Sequence, residues 1–564
     1  MDTSHWAPTG EEPVLQSTVA SILRRAAELS PQTTALVEGI GDRDDRRRFT
    51  YSKLLTLSER AAERLATRFE NGERIATFAP SVPEALVLSY ASALAGLVLV
   101  PVNPALHPGE LSYVLSQCGA SGVVSGSEHR GADLSVVSAR AAEDAPSVRE
   151  LMHLEEIVEL DRPSKSNRPS KADRLSKSDR QGQPGAQALG PDREPKPDDT
   201  AQLVYTSGTT GLPKGARLTH RGMTNAARFG AIRFGLRPGD VYLDTMPLHH
   251  VGGQVVAFQI CQMLATAVLV SGFEAGLVLE LLESERATVT AGVPTMLLAL
   301  IEHPKFSSTD LSALRSVSSG GSVVPPELVR HIESTLGVKS TICFGQTETC
   351  GFISQTHLDD SAEDKASTLG QPLPCVDARV VASAAASANP ATEVEEVVLA
   401  CGEVGELQVR SPYVMAGYHD MPEATAAAFA PGGWLRTGDL VTMDDRGFLR
   451  IAGRVKDMIV TGGENVFPVE VEGVLCEHPD VMMAAVVGVP HPRWGEQVVA
   501  VVRPAPGASP DPATLTAYLK ERLASFKVPK QILLADELPL TASGKIQKFV
   551  LRDQLTRGEV RSSP

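Results

Sequence analysis

The sequence predicts an α/β protein: a large N-terminal domain of parallel-rich sheets with helices, followed by a smaller, mobile α+β C-terminal domain. Three observations carry this expectation. Helix-spaced and strand-like apolar runs alternate through the first third of the chain, the pattern of helices laid over a mainly parallel sheet. The densest apolar alternation then runs from Ala201 to about Ile451. After Gly453 a further unit of about 110 residues shows its own helix and strand signals, large enough to pack as a lid.

The elements follow in order. Leu54, Leu57, Ala61 and Leu65 recur at helical spacing and precede a strand-like run, Arg74 to Ala79. The most apolar window, Ala85 to Val102, sits at the roughly 18-residue threshold of a membrane span. It is broken by Ser89, Ser92 and Gly96, so it reads as a core helix running into a buried strand, Leu97 to Val102. Between Asp161 and Arg180 a hexad repeats three times (DRPSKS, NRPSKA, DRLSKS) with seven basic and three acidic residues. Such a stretch has too little apolar surface to bury, and 161–199 is expected to be a mobile insertion or linker. Ala201 to Tyr205 reads as a strand, Ala382 to Val397 as an extended loop, Pro468 to Cys476 as a helix, Ala484 to Val489 as a strand and Asp511 to Leu523 as a helix. The expected domains are therefore 1–160 and 200–453 for the body, 454–456 for a hinge and 457–564 for the lid.

Composition narrows the function. Apolar residues make up 42% and charged residues 21% of 564, which excludes a chain disordered throughout. Fifty-three basic against 68 acidic residues give a net charge of −15, a balance that argues against nucleic acid and anionic membranes as partners. An anionic ligand must then be gripped locally. Seven scattered cysteines without a CxxC pair fit a reduced, cytoplasmic setting, and the N-terminus has no basic segment leading into an apolar one.

The strongest chemical signal is YTSGTTGLPKG, Tyr205 to Gly215, directly after a strand. Gly208 and Gly211 let backbone N–H groups approach an anion, Thr206, Ser207, Thr209 and Thr210 donate from hydroxyls, and Lys214 adds charge. The composition suits phosphates. It is no Walker loop, because Pro213 stands where the second glycine belongs and Gly215 replaces the Ser/Thr.

This loop, with FGQTE (Phe344 to Glu348), TGD (Thr437 to Asp439), GRVKDMIVTGGENVFPVEVE (Gly453 to Glu472) and PLTASGKIQK (Pro539 to Lys548), resembles the adenylate-forming superfamily. That superfamily holds acyl-CoA synthetases, nonribosomal adenylation domains and luciferases. The likeness keeps the same order from about Phe49 to Lys548. It implies two half-reactions: a carboxylate attacks the α-phosphate of ATP to give acyl-AMP and pyrophosphate, then a thiol takes the acyl group and AMP leaves.

The resemblance also assigns roles. Glu348, with Thr206, is the expected ligand of Mg2+, a hard cation that prefers oxygen. Phe344 offers a ring face to adenine, and Gly320, Gly321, Gly345, Gln346 and Thr347 line the nucleotide. Asp439 is an acceptor for ribose hydroxyls, with Arg454 as a second ribose or phosphate contact. Lys545 is the catalytic cation reaching between carboxylate and α-phosphate. Lys456 is the hinge, and Gly462, Gly463 and Glu464 line a pantetheine tunnel.

For the acid, PLHHVGGQ (Pro247 to Gln254) matches the helix start beside the acyl group. His249, His250 and Val251 stand where amino-acid-activating members place an aspartate, which disfavours an α-amino acid. His250 is a candidate to polarise or gate the carboxylate, or a structural histidine. Val251, Gly252, Gly253, Gly292, Val293, Pro294 and Gly320 form small, uncharged walls that leave volume for a fatty, aryl or polycyclic terpenoid acid. ATP, Mg2+ and CoA are the implied cofactors and substrates; a carrier-protein acceptor and a homodimer stay open.

Overall fold

The computed structural model describes residues 2–10, 12–160, 189–206, 212–321, 324, 326–382, 396–539 and 546–558. Two parallel-rich sheets share one hydrophobic core. The first has nine strands in the order Gln371–Pro372, Ser354–Gln355, Lys339–Phe344, Ser316–Gly320, Val289–Gly292, Val241–Asp244, Thr266–Leu269, Thr34–Glu38 and Arg48–Thr50. Its six central strands are parallel, and its edges turn antiparallel. The second has six strands in the order Lys214–Thr219, Thr200–Thr206, Val98–Val102, Arg74–Phe78, Gly122–Ser125 and Glu150–His153. Only its first pair is antiparallel.

Helices fill the space between these sheets. Thr18 and Ser21 form a reciprocal capping box that starts Val19–Leu29. The Thr50 side chain accepts from the Lys53 N–H to start Tyr51–Ala66, whose Leu54, Leu57, Ala61 and Leu65 are buried as their spacing predicts. The apolar window at 85–102 is a helix, Pro83–Leu94, buried on every side, followed by the strand Val98–Val102. No helix among the described residues is long and apolar enough to cross a membrane. Gln254, in Val251–Gln262, accepts from Ser89 Oγ at 2.7 Å and from Gln202 Nε2 at 3.0 Å, tying this helix to both the Pro83–Leu94 helix and the strand Thr200–Thr206.

A third, antiparallel sheet runs His5–Trp6, Asp377–Val381, Gly405–Arg410, Trp434–Met443 and Phe429–Ala430, with Leu449–Arg454 added on Trp434–Met443. The C-terminal sheet runs Glu464–Val466, Ile459–Thr461, Gly495–Pro504 and Val481–His491, with Gln531–Leu534 added in parallel. It packs with the helices Pro468–Cys476, Pro512–Lys520 and Lys548–Thr556 around clusters drawn only from residues beyond 458. Of the polar stretch at 161–199, residues 161–188 lie outside the described residues. Beyond it, Arg193 donates to the carbonyls of Ala66, Phe69 and Ala95, which fastens that end of the segment to the body. Most of the expected loop at 382–397 also lies outside the described residues.

One buried histidine makes this core sensitive to acid. His220 opens the helix His220–Phe234, and its Nδ1 accepts from the Val19 N–H at 3.3 Å, which requires the neutral ring. Burial pushes its pKa from 6.5 down to about 4. The unfolded chain therefore binds this proton first. The stability contributed by the neutral ring is full above pH 6.5 and is lost as pH falls from there toward 4. His220→Asn keeps an acceptor for Val19 without a titratable ring, so the fall in urea midpoint across that window is expected to flatten. An equally steep fall in the variant would count against this origin.

Candidate active site

The segment expected to bind phosphates joins two paired strands. Thr206 ends one strand opposite Lys214, which begins the next, and Tyr205 pairs with Gly215. Ser207, Gly208, Thr209, Thr210 and Gly211 lie outside the described residues, as does Lys545. The adjoining structure is braced from one side by the helix Pro108–Cys118. The Tyr113 hydroxyl donates to the Pro213 carbonyl at 2.9 Å, the Tyr205 hydroxyl meets Gln117 Oε1, and Gln117 Nε2 donates to the His419 carbonyl at 2.8 Å. On the other side the segment Met415–His419 runs along Lys214–Thr219. Arg217 N–H donates to the Gly417 carbonyl, Ala416 N–H to the Arg217 carbonyl and His419 N–H to the Gly215 carbonyl, at 2.8 to 2.9 Å.

This segment carries Tyr418 to the centre of the site. Lys214 Nζ lies 5.2 Å from the Tyr418 ring centroid, and the Tyr418 hydroxyl donates to Glu348 Oε1 at 2.7 Å. Burial and the Glu348 carboxylate push the phenol above its ordinary range, so it stays a donor at neutral pH. Glu348 sits on a one-turn helix, Thr347–Thr349, closed by Cys350 at φ 51° and anchored by the Met415 N–H on its own carbonyl at 2.8 Å. The structure thus brings together Lys214, from the loop motif, and Glu348, from FGQTE. Tyr418 escaped the sequence reading because its only local signal is one aromatic between Gly417 and His419.

Phe344 and Gly345 lead into that turn. Phe344 is partly exposed and packs against the main core. A Cβ on Gly345 would lie 2.3 Å from the Gly351 carbonyl oxygen, so this glycine lets the chain fold back under Gln346, Thr347 and Glu348. The same doubling-back sets Gly351, at φ 86°, near Val251, where its Cβ would lie 3.7 Å from Val251 Cγ1. The first residue of the helix Val251–Gln262 therefore lies beside Gly351, three residues beyond Glu348.

The expected acyl wall divides by what its glycines do. A Cβ would fall 2.2 Å from the Pro247 oxygen at Gly253 and 2.4 Å from the Cys343 oxygen at Gly320, so close packing accounts for both. At Gly292 it would meet Leu297 at 3.0 Å, and at Gly321 it would meet Val293 at 3.5 Å. Gly252 has nothing within 4 Å. Pro294 begins the helix Pro294–Ile301 directly after Val293. His250 precedes the helix Val251–Gln262 and is exposed, with its ring 5.3 Å from that of His249. Burial, then the neighbouring His250, pushes His249 down to about 3.

The residues expected at the ribose and hinge also meet. The strand Trp434–Met443 has an irregular register against Gly405–Arg410 at Thr437–Asp439, and Gly438 takes φ 69°. The Thr437 hydroxyl donates to the Leu407 carbonyl at 2.7 Å, and the Glu406 carboxylate accepts from the Gly438 N–H at 3.2 Å. The turn leaves Asp439 only 2% exposed, with Arg454 Nε on its Oδ1 at 2.8 Å. Lys456 follows in the turn Val455–Asp457, where desolvation and the Arg454 charge push its ammonium down.

In the C-terminal sheet, Gly462 and Gly463 take φ 61° and 89° between paired Thr461 and Glu464. Two successive positive φ values fit the two-residue hairpin for which glycine is favoured. Gly462 N–H donates to the Trp494 carbonyl at 2.9 Å. The Trp494 ring stacks on His491 at 4.5 Å, with Lys530 Nζ 5.8 Å from its centroid. The sequence reading did not single out Trp494.

Residues 23–419 match the family described as AMP-binding enzyme, and residues 470–545 match the AMP-binding enzyme C-terminal domain. The chain belongs to the AMP-binding enzyme family. Similar relatives include a putative acyl-CoA synthetase, YngI, of Bacillus subtilis, 33% identical over 96% of this chain and 97% of the relative. A feruloyl-CoA synthase of Amycolatopsis is 35% identical over 94% and 97%. The crystal structure of ATP-bound MatB from Rhodopseudomonas palustris superposes with a TM-score of 0.81 at 29% identity, covering 96% of this chain and all of that one. This AMP-binding enzyme is an AMP-forming acid–thiol ligase, built on the two-domain α/β architecture that its sequence predicts.

Gly345→Ala in this AMP-binding enzyme is expected to destabilise it by about 2 kcal/mol, the usual cost of forcing an extra carbon into closed packing, and to weaken ATP binding. Gly252→Ala, with open space around it in a helix, should leave stability unchanged or raise it by up to about 1 kcal/mol. Thermal unfolding and a nucleotide titration check both, and equal behaviour of the two variants would refute the distinction.

Proposed function

We propose that this ligase activates a hydrophobic carboxylic acid and transfers the acyl group to CoA. The observation that carries this reading is the convergence of Lys214 and Glu348 on Tyr418, beside the paired ends of the phosphate loop. A cation and a carboxylate held apart there suit a triphosphate and its metal. Residues 206–214 would grip the phosphates, Phe344 would stack on adenine, Gly320, Gly321, Gly345, Gln346 and Thr347 would flank the nucleotide, and Asp439 and Arg454 would hold the ribose. Glu348 fits Mg2+: Oε1 is held by Tyr418, while Oε2 has no partner among the described residues. That carboxylate oxygen and the Thr206 hydroxyl are hard donors of the kind the ion takes alongside phosphate and water. When bound, Mg2+ supplies charge neutralisation on the phosphates.

The substrate carboxylate oxygen attacks the α-phosphorus, the bond from that phosphorus to the bridging oxygen of pyrophosphate breaks, and pyrophosphate leaves. Lys545 would steady the charge that builds between acid and phosphate. A CoA thiol then gives up its proton to solvent, its sulfur attacks the acyl carbon, and the bond from that carbon to the phosphate oxygen breaks to release AMP. The arm would pass the side-chain-free turn Gly462–Gly463 beside Glu464, with Trp494 and its basic neighbours flanking the entry. Apolar Val251, Val293 and Pro294 and the open space at Gly252 support a bulky fatty, aryl or polycyclic acid, with His250 beside its carboxylate. Seven cysteines, none of them joined in a disulfide, support a reduced, cytoplasmic setting.

A panel of fatty, aryl and terpenoid acids, assayed with ATP and Mg2+ for pyrophosphate release with and without CoA, is expected to show acid-dependent AMP formation and CoA-dependent thioester. No AMP from any acid would overturn the reading, and AMP without CoA thioester would redirect it to a carrier-protein acceptor. Lys545→Ala should slow acid-dependent pyrophosphate exchange about a hundredfold, the loss of one donor to a developing charge. Lys456→Pro should spare that exchange and block thioester formation, because proline fixes φ at the joint between domains; full thioester output would place the pivot elsewhere.

A further inference from the structure

We infer that Tyr418 is a positioning residue for ATP: its ring acts as a spacer that keeps the Lys214 ammonium and the Glu348 carboxylate from pairing with each other. This rests on the nucleotide site proposed above and adds to it a residue outside the recognised motifs. A lysine and a glutamate brought this close in a half-buried site would ordinarily join as an ion pair. Each would then be neutralised and turned away from an incoming phosphate or metal. Here the two charges meet different parts of one side chain. Lys214 sits over the ring face, which is negative by its quadrupole, and Glu348 accepts from the hydroxyl at the ring's edge. Among the described residues no ion pair joins Lys214 to Glu348.

The ring can hold this separation because its backbone is fastened to both sides of the site. Tyr418 forms a β-bridge with Ala216, two residues from Lys214, and the neighbouring His419 N–H donates to Gly215. Three residues earlier, the Met415 N–H donates to the carbonyl of Glu348 itself. The Tyr418 N–H is taken by Thr425 Oγ1 at 2.9 Å, which ties the segment to the middle of the helix Pro422–Ala428. Main-chain bonds therefore join the strand Lys214–Thr219, the turn at Glu348 and the segment that carries Tyr418.

Two substitutions separate the spacer's parts. Tyr418→Phe keeps the face under Lys214 and removes the hydroxyl from Glu348. Tyr418→Leu removes both and lets the charges pair. The measurement is calorimetric binding of ATP to the full-length protein, once with EDTA and once with Mg2+, beside thermal unfolding of each variant. Tyr418→Phe is expected to bind metal-free ATP as the wild type does and to lose about tenfold in affinity for MgATP, the scale of one hydrogen bond to a charged group. Tyr418→Leu is expected to lose at least about threefold for metal-free ATP as well, the scale of an exposed cation–π contact. An unchanged ratio of MgATP to ATP affinity in Tyr418→Phe would overturn the inference, as would equal losses with and without metal. Wild-type protein that binds no nucleotide in either condition would overturn the proposed function along with it. Wild-type binding with unaltered variants would remove the spacer role alone. If Tyr418→Leu does not fold, the ratio in Tyr418→Phe still decides.

Discussion

The site depends on one strand being held along its length. Lys214–Thr219 pairs with Thr200–Thr206 on one edge and takes backbone bonds from Met415–His419 on the other. Main-chain bonds on both edges leave the strand little freedom to slide, and a slip of one residue would turn Lys214 to the opposite face. Tyr113 bonds Pro213 and Gln117 meets the Tyr205 hydroxyl, so side chains of one helix brace the chain on both sides of the segment between Thr206 and Lys214.

That rigidity answers a problem set by composition. A chain of net charge −15 repels a triphosphate at long range. At physiological salt the repulsion is screened beyond roughly 8 Å, so the charges inside the site decide binding. The protein arranges them in opposed pairs held at defined geometry: Lys214 against the Tyr418 ring, Arg454 against Asp439. In each case the cation is poised beside a polar acceptor without being buried under it. A cation wholly sealed in the core would pay a desolvation cost and be of no use to a ligand.

Much of this was legible in the sequence. The helix spacing from Leu54 to Leu65, the helix-to-strand reading of 85–102 and the position of the helix at 468–476 follow from local periodicity and correspond to what is seen. The motif residues were legible as types, since a carboxylate, an ammonium and adjacent glycines limit the chemistry they can serve. What local pattern could not supply was distance. Tyr418 lies about two hundred positions beyond Lys214 and seventy beyond Glu348, and only tertiary pairing brings the three together. Nor could sequence tell one glycine from another. Gly252 and Gly253 are adjacent, yet one faces open space and the other abuts the Pro247 carbonyl. The third, antiparallel sheet was missed for the same reason, because its strands come from residues 5 to 454 and pair across the chain.

The joint between body and lid shows how little chain carries the change of role. Leu449–Arg454 belongs to the antiparallel sheet of the body and Ile459–Thr461 to the C-terminal sheet, so residues 455–458 alone connect them. A rotation of one sheet against the other must be absorbed there or break a ladder. Arg454 is the last residue of the body's strand and pairs with Asp439, while Lys456 lies two residues on and feels that same charge. The residues that would hold the ribose and the residues that would swing are thus continuous. A rotation of the C-terminal sheet would displace the chain immediately after Arg454, so the Arg454–Asp439 pair and the position of that sheet are joined through four residues. A joint this short leaves little slack between the Arg454–Asp439 pair and the first strand of the C-terminal sheet.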